Sequence, residues 1–268
     1  MKYKIIFLDI DGTLTDSRKL ITENTRRTLM KASDNGLIIA IASGRPEPGL
    51  AYAAGELELS SRGGYILPFN GGLIKNVSTG EIISSNTISR EALETAYSVA
   101  EEFGIGIITY KEGDIIAAHR RDQYVDLESR INGMPIRITD NFLEDIAHAP
   151  VKCLLTGDPE IAEKAEKRLA ELLSGKANVF RSEPFFVEVV PNGIDKAESI
   201  KALIGRLDIT REEVIACGDG FNDVSMIKYA GLGVAMSNGC DAAKEAADYI
   251  APSNDEDGIV DVIEKFVL

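Results

Sequence analysis

Four short polar clusters hold the side chains of this chain that could do chemistry, and each lies at the end of an apolar run or the start of a helix-like segment. The first is Asp9-Ile10-Asp11-Gly12-Thr13, directly after Ile5-Ile6-Phe7-Leu8. Two carboxylates one residue apart, beyond the carboxyl end of a buried strand, can share a divalent cation and divide two jobs. One attacks as a nucleophile; the other donates a proton and then takes one back. Taken alone, the same residues also make an ordinary Asp-Gly turn. The second cluster, Ser43-Gly44-Arg45-Pro46, offers a hydroxyl and backbone N–H groups that suit a phosphoryl group. A helix N-cap followed by proline reads the same way. The third is Lys196, in Pro191-Asn192-Gly193-Ile194-Asp195-Lys196. A lysine there can neutralise a phosphoryl group in transfer, although a lone lysine in an acidic chain ordinarily sits on the surface. The fourth, Gly218-Asp219-Gly220-Phe221-Asn222-Asp223, brings two more carboxylates and an amide in a glycine-bounded loop, a plausible hard-cation site. It lacks the ligand spacing of a calcium-binding helix-loop-helix.

Each cluster has a plain turn-and-cap explanation, but the set does not. Together they supply a nucleophile, an acid/base, a hydroxyl, a cation and metal ligands. Phosphoryl transfer needs those parts, because its catalysis is mostly positioning and charge neutralisation.

The elements that must position them follow from the apolar pattern. Residues 5–8, 37–42 and 65–69 read as buried strands, and Thr22 caps a helix over 23–35 that stops at Gly36. Strand, helix, strand in that order predicts a parallel sheet with right-handed crossovers. The final third resumes the rhythm, with helices over 197–207, 223–229, 242–247 and 255–266 and strands over 214–217 and 232–236. The middle reads differently. A helix over 90–103, a hairpin 105–110/114–119, a strand over 151–155, a helix over 159–173 and a second hairpin around Ser182-Glu183-Pro184 predict an α+β module. The expected fold is thus α/β: a Rossmann-like parallel-sheet core in two parts, 1–82 and 188–268, split by an inserted domain over 83–187.

Bulk properties narrow the partners. The 268 residues hold 29 Lys plus Arg against 43 Asp plus Glu, a net charge of −14. Such a field repels nucleic acid and anionic membranes, so neither is expected as a partner. It also repels a small phosphorylated metabolite, which would need a local cation. Three scattered cysteines argue against a disulfide framework, and two histidines leave carboxylates as the metal ligands. The apolar run near the N-terminus is too short for a signal peptide or a membrane span, so a cytoplasmic location is expected.

The four clusters, in this order, resemble the haloacid dehalogenase (HAD) superfamily of phosphohydrolases. The stretch from Gly218 through Met226, then Gly233-Val234-Ala235-Met236, Asn238, Lys244 and Ala247-Asp248, is similar to the Cof-type branch, subfamily IIB. The insertion lies between the second and third signature segments, as in members with a C2-type α+β cap. The resemblance implies hydrolysis of small phosphate monoesters, sugar phosphates foremost, through a phospho-aspartate on Asp9. Asp11 would protonate the leaving alcohol and then activate water. Ser43 and Lys196 would hold the phosphoryl oxygens, assisted by Ile10, Gly44 and Asn222. Mg2+ would sit between the Asp9 carboxylate, the Asp11 backbone carbonyl and the Asp219 carboxylate, with Asp223 in support.

The inserted domain would choose the leaving group. Arg45 is the candidate contact; His119, Arg120 and Arg121 read more simply as a solvated edge, and His148 as a loop residue. Hairpin alternation lets only one of Phe185 and Phe186 point inward. Two other functions use the same parts: a phosphomutase, and a non-hydrolytic phospho-acceptor or regulatory protein. The acid/base Asp11 speaks against the second, since a mere acceptor has no use for it.

Overall fold

The computed structural model describes residues 2–147 and 149–268; His148 lies outside them. Strands β1 (Ile5–Leu8), β2 (Ile38–Ala42), β3 (Tyr65–Leu67), β4 (Leu73–Asn76) and β5 (Ile82–Ser85) come first. Six more follow: β6 (Gly106–Lys111), β7 (Asp114–Ala118), β8 (Ile136–Thr139), β9 (Cys153–Thr156), β10 (Ala177–Glu183) and β11 (Phe186–Pro191). The chain returns with β12 (Val214–Gly218), β13 (Leu232–Met236) and β14 (Tyr249–Ala251).

The first sheet runs in the order β14-β13-β12-β1-β2-β3-β4-β5. Its strands from β14 through β3 are parallel, and β4 lies antiparallel to β3. Each parallel strand is apolar throughout because both faces are covered. On β1, Ile6 and Leu8 join one core and Ile5 and Phe7 the other, and β12 divides in the same way, Ile215 and Cys217 against Val214 and Ala216. Cys217 is therefore a packing residue; burial pushes its thiol far up. The chain leaves β1 toward β2 and later returns on its other side at β12. That reversal opens a crevice beyond the carboxyl ends of the two strands.

The second sheet has the order β10-β11-β9-β6-β7-β8. Helices Arg90–Phe103 and Pro159–Leu172 cover one face, while Phe186, Leu154, Ile108 and Val125 form the core on the other. The parallel pair β7–β8 needs a crossover, which the helix Gln123–Asn132 supplies. This helix lies outside the elements expected from the apolar pattern, although Asp122 caps it by accepting from the N–H groups of Tyr124 and Val125, and Gly133 ends it. Phe186 is buried, yet Phe185 packs on the same core and stacks on Tyr124 at 4.8 Å. Alternation does not govern Phe185, because β11 begins only at Phe186.

Contacts divide the chain into two compact units. One holds residues through Gly44, Leu50–Ser84 and Asp195–Leu268; the other holds Arg45–Gly49 and Ser85–Ile194. The expected boundary at 187 cuts β11, whose pairing with β9 and β10 keeps it in the second unit. Arg45, next to Gly44, belongs to that unit, and its Nη1 donates to the carbonyl of Ile131 (3.4 Å). His119 meets the Tyr97 hydroxyl (2.6 Å) and Asp140 (3.1 Å), Arg120 donates to the Gly104 carbonyl, and Arg121 pairs with Asp126. All three are thus occupied locally. Among the described residues, no helix is long and apolar enough to cross a membrane.

The helix Glu23–Asp34 is held at its start from far along the chain. Asp257 accepts from the hydroxyls of Thr22 (2.5 Å) and Thr25 (3.3 Å) and from the Asn24 amide (3.0 Å). These bonds, that of Thr22 foremost, hold its carboxyl below the ordinary 3.8. A depressed carboxyl contributes stability above its unfolded value that is lost as pH falls through its folded value. Asp257→Asn keeps the left-handed backbone (φ 55°) and is expected to cost about 1–2 kcal/mol at pH 7. The deficit should shrink toward pH 2, as measured by urea unfolding; an equal deficit at both pH values would discount the ionised contacts.

Candidate active site

The first cluster leaves β1 as a tight loop. Asp9 N–H donates to the Cys217 carbonyl (3.0 Å), and the carbonyls of Asp9 and Ile10 accept from the N–H groups of Leu14 and Thr15. Gly12 is required at φ 83°, and a Cβ there would run into the Asp219 carboxylate. Asn238 closes the loop from outside, its amide donating to the Gly12 carbonyl (2.8 Å).

Lys196 is the centre of the cluster. Its Nζ donates to Asp9 Oδ1 (2.7 Å), to Asp223 Oδ1 (2.6 Å) and to the carbonyl of Ala42 (2.8 Å), the residue before Ser43. All three ammonium protons are used and the side chain is fully buried. The surface placement that a lone lysine usually takes does not apply here, because two carboxylates replace the water it gives up. Burial pulls its pKa down, but Asp9 and Asp223 outweigh that and hold it above the ordinary value.

The fourth cluster folds around Asp223. Its Oδ2 accepts from the N–H groups of Asp219 (3.0 Å) and Gly220 (2.8 Å), while Oδ1 holds Lys196. Asp219 Oδ1 accepts from the Thr13 hydroxyl (2.9 Å), which ties the loop after β12 to the loop after β1. One carboxylate oxygen from each of Asp9, Asp219 and Asp223 lies within 4.8 Å of the other two.

Charge is unbalanced there: three carboxylates surround one ammonium. Burial, opposed by Lys196 and reinforced by Asp223 and Asp219, pushes Asp9 up to about 7. Asp219 is also raised, by burial first and despite the bond from Thr13. A compact set of hard oxygen donors with surplus negative charge fits a small divalent cation such as Mg2+.

Asp11 stands apart from that trio. Its carboxylate faces Lys19, whose Nζ lies 2.9 Å from Oδ1, and both side chains are at least a third exposed. Ser43 is buried; its N–H donates to the Leu67 carbonyl (3.1 Å) and its carbonyl accepts from Asn70 N–H (2.8 Å). Asn222 donates its amide to Asn70 Oδ1 (3.0 Å). The fold therefore gathers Asp9, Lys196, Asp219 and Asp223 directly. Asp11 lies two residues along the Asp9 loop, and Asn70 joins Ser43 to Asn222.

Sequence reasoning missed Asn70 and Lys19. Asn70 carried a signal of the same kind as the four clusters, a polar residue just past a buried strand with two glycines behind it. Lys19 carried none, because only the turn at Asp16 brings it back to Asp11.

Known proteins match both the sequence and the fold. The family model described as haloacid dehalogenase-like hydrolase matches residues 6–263. The 5-amino-6-(5-phospho-D-ribitylamino)uracil phosphatase YcsE of Bacillus subtilis is 31% identical over 99% of this chain and 96% of its own. A haloacid dehalogenase-like hydrolase from Bacteroides thetaiotaomicron superposes with a TM-score of 0.95 at 46% identity, covering 98% of this chain and 99% of that one. BT4131, described as a HAD subclass IIB sugar phosphatase, gives 0.81 at 27% identity over 98% of both chains.

Proposed function

The chain belongs to the haloacid dehalogenase-like hydrolases and is a phosphatase of that family; from that premise we propose that it hydrolyses small phosphate monoesters with polyhydroxylated leaving groups, using Asp9 as nucleophile and Mg2+ as cofactor. The observation that carries the reading is the buried Lys196 held between Asp9 and Asp223 with Asp219 alongside. One buried ammonium aims the Asp9 carboxylate and leaves surplus negative charge for a cation to neutralise. The leaving-group class rests on names. YcsE is named for a phosphoribitylamino substrate and BT4131 as a sugar phosphatase.

In the first step an Asp9 carboxylate oxygen attacks phosphorus as the bond to the leaving oxygen breaks, and Asp11 gives that oxygen its proton. In the second, water attacks the phospho-aspartate, Asp11 takes a proton from it, and phosphate leaves with Asp9 restored. Ser43 and the backbone of Ile10 and Gly44 hold the phosphoryl oxygens, with Asn222 assisting and Lys196 turning one of its ammonium protons from a carboxylate to the phosphoryl group. Asp9, Asp219 and the Asp11 backbone would hold Mg2+, with Asp223 shaping their loop; when bound, the ion screens the repulsion between carboxylate and phosphate. Arg45 is proposed as a contact for the leaving group.

The test is a panel of phosphate monoesters incubated with Mg2+, with free phosphate measured. Catalytic release that stops on EDTA addition and returns with Mg2+ is expected. Isomerised ester without phosphate would favour a mutase, and stoichiometric labelling without turnover an acceptor; either would overturn the hydrolase reading.

A further inference from the structure

The turn after β3 holds an unusual backbone. Phe69, Asn70 and Gly71 have φ values of 56°, 55° and 88° in succession. The left-handed region is costly for a residue with a Cβ, and two such residues in a row persist only where the surroundings over-determine them.

The surroundings here are three of the four chemical clusters. Asn70 N–H donates to the Ser43 carbonyl (2.8 Å), and Asn70 Oδ1 accepts from Asn222 Nδ2 (3.0 Å). The same carboxamide lies over Gly44, where an added Cβ would sit 3.4 Å from its oxygen and its nitrogen. Gly71 lies against the first turn of the helix Lys196–Leu207, and a Cβ there would run into the Ser199 hydroxyl. That hydroxyl in turn donates to the Lys196 carbonyl (2.8 Å).

We propose that Asn70 is a positioning residue for phosphoryl transfer, its strained turn holding the carboxamide that orients Asn222 and seats the Ser43–Gly44 turn. The inference rests on the phosphatase reading above. Asn222 is exposed and would otherwise sample several rotamers. Giving one of its amide protons to Asn70 fixes the direction of the other. The Ser43 carbonyl is fixed by the same residue, so donors borne on separate loops are set before charge develops on the phosphoryl oxygens. Donors aligned in advance lower the barrier more than they tighten ground-state binding.

Asn70→Gly separates the side chain from the backbone, since glycine adopts φ 55° freely. With p-nitrophenyl phosphate and Mg2+, this variant is expected to lose on the order of 10- to 100-fold in kcat, with KM within about threefold. Its melting temperature should not fall. Asn222→Ala should show a similar loss, and the double variant should be no worse than the poorer single one. Wild-type kcat in Asn70→Gly, or losses that multiply in the double variant, would overturn the inference while leaving the phosphatase reading intact. Wild-type protein that releases no phosphate from any monoester would overturn the phosphatase reading, and this inference with it.

Discussion

Replacing Asp9 with asparagine is expected to lower turnover by about four to six orders of magnitude, as loss of a nucleophile does in other covalent catalysts, and to leave the fold intact. The substitution is nearly isosteric, and an amide oxygen can still accept the proton that Lys196 now donates to Asp9. What disappears is the negative oxygen proposed to attack phosphorus. Stability should move the opposite way. Burial, opposed by Lys196 and reinforced by Asp223 and Asp219, raises the Asp9 carboxyl from 3.8 to about 7. A carboxyl raised on folding contributes stability that is fully present below its unfolded value and is lost as pH rises through its folded value. Asparagine imitates the protonated form at every pH. In EDTA the variant should therefore match the wild type near pH 4 and exceed it above pH 7. Phosphate release and urea unfolding at the two pH values read both effects; near-wild-type turnover in a preparation free of deamidated protein would remove Asp9 from its role.

Lys196→Met should be the most damaging single change to the fold. The methionine fills most of the volume but leaves Asp9 and Asp223 facing each other, buried, without the ammonium that touches both. Removing one partner of a buried charged cluster costs about 3–5 kcal/mol. The carbonyl of Ala42 loses its donor as well. The sign of the pH dependence identifies the cause. Protonating one carboxylate relieves the repulsion, so the variant should recover stability as pH falls from 8 toward 5, and added Mg2+ should recover part of it at pH 8. Thermal unfolding across that range is the measurement. A deficit independent of pH and of Mg2+ would mean that packing, not charge, is what Lys196 supplies.

Both predictions concern one cluster, and its parts differ in how visible they were beforehand. Asp9 and Asp11 stood out because they follow a run of four apolar residues, and a buried strand is a local pattern. The same holds for Asp219 and Asp223 after β12. Lys196 showed only as a lysine near a helix start. Its partners lie 187, 154 and 27 residues away in the chain, so no local window contains the reason for its burial. The helix Gln123–Asn132 is legible from its caps, but the charged His119-Arg120-Arg121 run just before it reads as a solvated edge. The expected boundary at 187 falls inside β11, because pairing between strands, not composition, decides which unit that strand joins.

By itself the sequence determined the alternation of strands and helices, the side chains proposed to react and the phosphatase class of the reaction. Those properties depend on residue type and short-range spacing, and the chain carries them wherever it goes. The tertiary structure alone decided the rest. Parallel pairing of β1 with β12 and β2 brings three carboxylates to one ammonium. The turn at Asn70 then bridges Ser43 to Asn222 at the cost of a strained backbone. Burial and the mutual repulsion of charges are properties of an assembled neighbourhood, and they turn an ordinary aspartate at a strand end into a carboxylate poised near neutrality.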